Sequence, residues 1–226
     1  MTSELKKRII TSIFLLFLLA LMFFYTYILM ISLIVITVIC WIELYSLISK
    51  ILYKNSFKNK ILNYLYKLLS LIYLSSLTFF ILTVKSKNQE LEIIIIYSIM
   101  ISIMSDIGGL TIGKIFKGGK LSKISPNKTI SGAIGSFIFS ISLIPFFINY
   151  LPVYNFFTLF FITLIISLTS QVGDLFISFL KRKAQVKNTS DLLPGHGGIL
   201  DRIDGIIFAI PVGFFIMNYF LSWKKR

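Results

Sequence analysis

Acidic residues are scarce in this sequence and cysteine is almost absent: 9 Asp and Glu stand against 23 Lys and Arg, and Cys40 is the one thiol among 226 residues. A lone cysteine excludes a disulfide within the chain, and its place in an apolar run reads as a small packing residue rather than a nucleophile. Charged side chains make up 14%, against roughly a quarter in a soluble domain. Internal repeats, low-complexity linkers and a separable soluble domain are missing too. What is present is apolar: 56% of residues are hydrophobic, in long continuous runs rather than alternating or short amphipathic segments. Such runs read as membrane spans, which excludes soluble fold classes.

The formal charge of +14 would suggest a nucleic-acid partner on a soluble protein. Here the basic residues sit between apolar runs, where they read first as topology, since cytoplasmic loops collect Lys and Arg. Attraction to anionic lipid or to a polyphosphate substrate is the second reading. Lys6, Lys7 and Arg8 precede an apolar stretch as in a signal peptide. No small-residue cleavage site follows, so a retained first span with its basic end in the cytoplasm is expected. Residues 9–49 hold a single charge, Glu43. That run is about twice the ~20 residues a span needs, which predicts a hairpin turning near Tyr25-Thr26-Tyr27.

A basic loop with Lys50, Lys54, Lys58 and Lys60 follows, then a third span over residues 61–84 and an external loop over 85–92. The fourth span is expected to end at Asp106 and the Gly108-Gly109 pair, ahead of a loop carrying Lys114, Lys117, Lys120, Lys123 and Lys128. Spans over about 130–150 and 155–180, a polar island over 181–204 and a last span ending at Trp223 complete the chain. The expected fold is all-α, a polytopic helical bundle of about seven transmembrane helices. Residues 1–92 form its N-terminal spans and 93–226 its catalytic region, in one continuous membrane unit. An odd count leaves Lys224, Lys225 and Arg226 outside, against the positive-inside rule.

The acids are oddly placed for an inert membrane protein. Asp106, Asp174, Asp191, Asp201 and Asp204 lie at span ends or in the two inner loops richest in Lys and Arg. Asp106 and Asp174 fall inside apolar runs, where a carboxylate costs about 2.5–3.5 kcal/mol on insertion scales and normally pairs with a cation or faces a cavity. An ordinary ion pair with a nearby Lys is the plain reading of either one. Asp201 and Asp204 are three residues apart and share a face of any helix beginning near Leu200. Hard oxygen ligands suit magnesium, which takes one or two carboxylates and leaves room for substrate phosphates; Asp174, at the inner end of another helix, would complete such a site. Acids for a metal and basic groups for phosphate on one side of the membrane suggest a nucleotide.

Pro194-Gly195-His196-Gly197-Gly198 reads as a tight loop whose backbone can approach a ligand. Upstream, Ser125-Pro126-Asn127-Lys128-Thr129 offers capping chemistry for the fifth span, and a helix start beside Lys128 would suit a phosphate. Gly132 and Gly135 read best as helix packing. Glu43 reads equally as half of a buried pair or as a peripheral site residue.

Two blocks carry a resemblance. Gly173-Asp174-Leu175, Ser178-Phe-Leu-Lys181-Arg182, Lys187 and Pro194-Gly-His-Gly-Gly-Ile-Leu-Asp201-Arg202-Ile-Asp204 closely resemble the signature of the phosphatidate cytidylyltransferases. Asp106, Gly108, Gly113-Lys114 and Ser125-Pro-Asn-Lys128-Thr129 with Gly132 and Gly135 resemble a second block of that family. The resemblance implies transfer of a cytidylyl group from CTP to phosphatidate with release of pyrophosphate, magnesium as cofactor and potassium as a companion ion. It implies Asp174, Asp201 and Asp204 at the metal, and Lys181, Arg182, Lys187 and Arg202 on phosphates. His196, Gly197 and Gly198 would shape the nucleotide end, with Lys128, Thr129 and Asp106 on the substrate side. Asn188 stands where the family usually has Asp, and Ile130 where an aromatic is common. The N-terminal part is shorter than the family pattern leads one to expect, by about a pair of spans.

A CTP-dependent lipid kinase of the polyprenol type, or a cytidylyltransferase for another lipid phosphate, shares part of this pattern. A transporter also places acids and broken glycine-rich helices in a membrane, but its ionisable groups belong near the midplane. The expected setting is a bacterial inner membrane with the site facing the cytoplasm. Membrane lipids surround the bundle, a homodimer is compatible with it, and nucleic acid is not a partner.

Overall fold

The computed structural model describes residues 13–224 except 14–16, 19, 23, 54, 55, 88, 123, 126, 127, 152, 154, 194 and 196. The described residues form helices, with two isolated β-bridges, Lys120 to Thr129 and Leu193 to Gly197, and no strand. The helices are α1 (Thr26–Ile51), α2 (Phe57–Lys87), α3 (Gln89–Phe116), α4 (Ile130–Ile141), α5 (Ile144–Phe147), α6 (Phe156–Lys183), α7 (Leu200–Ile203) and α8 (Ile206–Lys224). Among the described residues, six segments are long and apolar enough to cross a membrane, with α4–α5 and α7–α8 each counted as one. The chain is an integral membrane protein. The predicted first span lies largely outside the described residues. The predicted turn falls where Tyr25 leaves helical geometry (φ −120°, ψ 108°) before α1 begins.

Two compact units emerge: Met1–Leu82 with Leu180–Ile203, and Thr83–Phe179 with Asp204–Arg226. In the first, α1 packs on α2. Trp41 Nε1 donates to the Lys67 carbonyl at 3.2 Å, the Lys67 ammonium sits 3.6 Å from the centre of the Tyr45 ring, and the hydroxyls of Thr37 and Thr78 meet. Cys40, Leu44, Leu47, Leu74 and Leu77 are buried, while Val35, Val38 and Ile42 point outward. Cys40 thus occupies the packing role its surroundings predict.

In the second unit α3 and α4 approach so closely that their glycines touch the opposing backbone. A Cβ on Gly108 would stand 2.4 Å from the Gly135 carbonyl oxygen, and one on Gly132 would stand 2.8 Å from that of Gly109. Small residues let helices meet in a membrane, where lipid is as apolar as the side chains it would replace. The same contact corrects the expected end of the fourth span. Gly108 and Gly109 do not stop the helix at Asp106; α3 continues through Phe116 because α4 covers those glycines. Buried hydroxyls bridge the other helices, Tyr97 to Thr163 at 2.6 Å and Ser102 to Ser170 at 2.6 Å.

Candidate active site

The first unit gathers its polar groups around Asp201, in the single turn of α7. Oδ1 accepts from the Lys181 ammonium at 2.7 Å. Oδ2 accepts from the Thr189 amide at 2.9 Å, the Gly198 amide at 3.1 Å and the Thr189 hydroxyl at 3.1 Å. Side chains of Lys181 and Asp201 are 13% and 10% exposed, so this is a sheltered, charge-assisted pair rather than a surface contact. Lys181 sits in the last turn of α6. After it the chain breaks out through Gln185 in the left-handed region (φ 55°), with the Val186 amide returning to the Lys181 carbonyl at 3.0 Å.

Loop 184–199 then folds back on itself. Leu193 and Gly197 exchange backbone bonds of 2.9 and 3.1 Å, which closes a tight hairpin. Gly195 (φ 78°) and Gly197 (φ 84°) hold backbone angles that other residues rarely adopt. Gly198 is excluded from carrying a side chain by space alone: a Cβ there would stand 2.0 Å from Thr189 Oγ1 and 2.6 Å from both carboxylate oxygens of Glu43. Glu43 reaches this place from α1, 3% exposed. It accepts from Ser190 Oγ at 2.6 Å, Thr189 Oγ1 at 2.8 Å, and the Ile199 and Leu200 amides at 3.1 and 2.8 Å.

The second unit carries another acid and lysine pair. Lys128 and Asp174 form an ion pair with both side chains about one quarter exposed, at 25% and 24%. Ser178 donates to Asp174 Oδ1 at 3.3 Å from one turn along α6. Asp106 lies within electrostatic reach of both, repelled by Asp174 and attracted by Lys128. Thr129, next to Lys128, is the N-cap of α4: its side chain accepts from the Gly132 amide at 3.0 Å, as the capping chemistry predicts. Asp204 is buried at the break before α8, with Oδ1 accepting from the Gly205 amide at 2.9 Å.

The structure therefore brings together Lys181, Asp201, Gly197 and Gly198 in one cluster, and Lys128, Asp174 and Asp106 in another. Arg182, Lys187 and Arg202 are exposed. Asn188 is exposed as well and leans on Gly197, its Cγ 3.3 Å from where a Cβ would stand. Pro194 and His196 lie outside the described residues. Among the described residues no three His, Cys, Asp or Glu side chains gather in a way that would hold a metal ion. The donors present are nonetheless hard carboxylate oxygens beside ammonium groups, and Asp174 with Asp106 offers the one or two carboxylates that suit magnesium once phosphates supply the rest. Asp201 differs: Oδ2 already carries three protein donors, which leaves Oδ1, now on Lys181, as its open oxygen. Sequence reasoning passed over Thr189 and Ser190 and left Glu43 undecided. The signal available was a lone carboxylate in a 41-residue apolar run.

Fold and sites define a polytopic helical membrane protein whose carboxylates meet lysines at helix ends and in a glycine-rich loop. The profile of the cytidylyltransferase family matches residues 1–220, and the chain belongs to that family. The phosphatidate cytidylyltransferase of Rickettsia bellii is 42% identical over 130 residues, 54% of this chain and 54% of the relative. That of Rickettsia typhi is 41% identical over 144 residues, 60% of this chain and 61% of the relative. The Bacillus subtilis protein of the same name is 35% identical over 155 residues, 67% of this chain and 57% of the relative. The chain thus spans about half to three fifths of the length of the curated relatives it matches.

Proposed function

We propose that the chain transfers the cytidylyl group of CTP to phosphatidate, forming CDP-diacylglycerol and pyrophosphate. The observation that carries this reading is loop 184–199 bonded to Asp201 through the Thr189 and Gly198 amides, with glycine backbone and the exposed Lys187 to meet a polyphosphate. The names of the relatives support the choice of lipid and nucleotide.

In the reaction a phosphate oxygen of phosphatidate attacks the α-phosphorus of CTP, and the bond to the pyrophosphate oxygen breaks. The nucleophile is already anionic, so no general base is required, and positioning with charge neutralisation does most of the work. Lys181, Arg182, Lys187, Arg202 and Lys128 would hold phosphates. Gly197 and Gly198 would let the nucleotide approach the backbone, with His196 at the same end. Asp174 with Asp106 would hold magnesium, while the family resemblance also assigns Asp201 and Asp204 to metal and adds potassium as companion ion; when bound, magnesium neutralises triphosphate charge. Acyl chains enter from the bilayer and CTP from the cytoplasm of a bacterial inner membrane.

The test is pyrophosphate release by purified, detergent-solubilised protein given CTP, magnesium and phosphatidate, each omitted in turn. Release that needs all three, with CDP-diacylglycerol as the lipid product, is expected. CDP in place of pyrophosphate would overturn the reading in favour of a lipid kinase, and neither product from folded protein would turn it toward transport. Asp204→Asn is expected to lower turnover by at least about a hundredfold while leaving the protein in the membrane fraction.

A further inference from the structure

Glu43 is the most deeply buried carboxylate among the described residues, and the chemistry above makes no use of it. It stands within α1, where a charge is costly, and among the described residues no lysine or arginine forms an ion pair with it. Its four donors come from one short stretch, residues 189–200: two on Oε1 (Ser190 Oγ, Ile199 amide) and two on Oε2 (Thr189 Oγ1, Leu200 amide). One of them also binds Asp201: Thr189 Oγ1 stands 2.8 Å from Glu43 Oε2 and 3.1 Å from Asp201 Oδ2. One hydroxyl hydrogen serves both carboxylates, so the position of either depends on the other. Gly198 is wedged between them with no room for a methyl group.

We propose that Glu43 is a positioning residue that fixes the glycine-rich loop and the turn bearing Asp201, so that the nucleotide end of the site is formed before substrate arrives. The link to turnover rests on the cytidylyl-transfer reading; the ordering of the loop does not. A carboxylate is needed because two donors are backbone amides, which cannot reverse. In Glu43→Gln the amide nitrogen would replace one oxygen and turn its own hydrogens toward a peptide N–H, whichever way it faces. Displacing a bound group by about 1 Å costs on the order of a hundredfold in rate.

The experiment is hydrogen–deuterium exchange of the detergent-purified protein without substrate, read by mass spectrometry, beside steady-state kinetics. Glu43→Gln is expected to speed exchange in peptides covering 189–200 by about tenfold or more, with α3, α4 and α6 as protected as in the parent chain. Its KM for CTP is expected to rise more than its KM for phosphatidate. Ser190→Ala removes one donor to Glu43 and leaves the Leu192 amide, 3.3 Å from Ser190 Oγ at an exposed position, to water, so the same peptides should quicken only a few-fold; it carries the test if Glu43→Gln does not accumulate. Unchanged exchange in 189–200, or faster exchange spread evenly over all helices, would overturn the proposal. A parent chain that releases no pyrophosphate but shows the localised exchange would sink the activity reading and leave the positioning role standing.

Discussion

Gly197 and Gly198 are neighbours in the sequence, yet the structure needs them for different reasons. Gly197 needs its positive φ of 84°, with a methyl group there 2.9 Å from Asp201 Oδ2, whereas Gly198 is limited by space alone and more severely, since a methyl group would fall 2.0 Å from Thr189 Oγ1 and 2.6 Å from Glu43. An alanine at a left-handed position costs roughly 1–2 kcal/mol. An alanine in the second place pushes apart the hydroxyl and carboxylate that order the loop. Gly198→Ala is therefore expected to reduce turnover more than Gly197→Ala, by at least about tenfold between the two. Assayed side by side in equal amounts of folded protein, the reverse order would show that the close packing of Gly198 on Thr189 and Glu43 does not govern the loop. The distinction is invisible in the sequence, where the two glycines read alike. Glu43 hides for a similar reason: Thr189 is 146 residues away along the chain, and no periodicity links a transmembrane carboxylate to a distant loop.

At the scale of elements, legibility followed local chemistry. The long apolar runs mark α1, α2, α6 and α8 to within a few residues, because span length is set by bilayer thickness. Thr129 is recognisable as a cap because capping needs a side-chain oxygen within one turn. The end of α3 was misplaced because Gly108 and Gly109 carry no label distinguishing a break from a packing contact; that depends on α4. The contact itself makes a prediction. A Cβ on Gly135 would stand 2.4 Å from Ile112 Cβ, whereas one on Gly119 would meet its nearest neighbour, Ile130 Cδ1, at an ordinary 3.7 Å. Overpacking of the first kind costs about 1–3 kcal/mol, and a chain of this size loses about 2–4 °C per kcal/mol. Gly135→Ala should lower the thermal midpoint in detergent by several degrees and Gly119→Ala should leave it unchanged. Equal midpoints would mean that α3 and α4 do not rely on this contact.

For the molecule as a whole, the decisive question is which side of the membrane the basic loops occupy. α4 has 12 residues, a rise of about 18 Å, too short for a hydrocarbon core of about 30 Å. Continued through α5, the apolar segment Ile130–Phe147 has 18 residues, about 27 Å at the same rise, at the short end of the roughly 17–25 residues that span a membrane. If it crosses, two passages separate Lys120 from Leu192, this segment and α6, and both positions must report the same side. Both loops are rich in Lys and Arg, so the positive-inside rule leads us to expect that side to be the cytoplasm. The chain is suited to the test because Cys40 is 1% exposed and leaves little background. Lys120→Cys and Leu192→Cys should each react with a membrane-impermeant maleimide in inverted vesicles and stay silent in intact cells. Labelling of both from outside would reverse the topology and overturn the proposed entry of CTP from the cytoplasm. Labelling from opposite sides would show that α4 and α5 dip into the membrane and return, leaving α6 as the one crossing between the two loops.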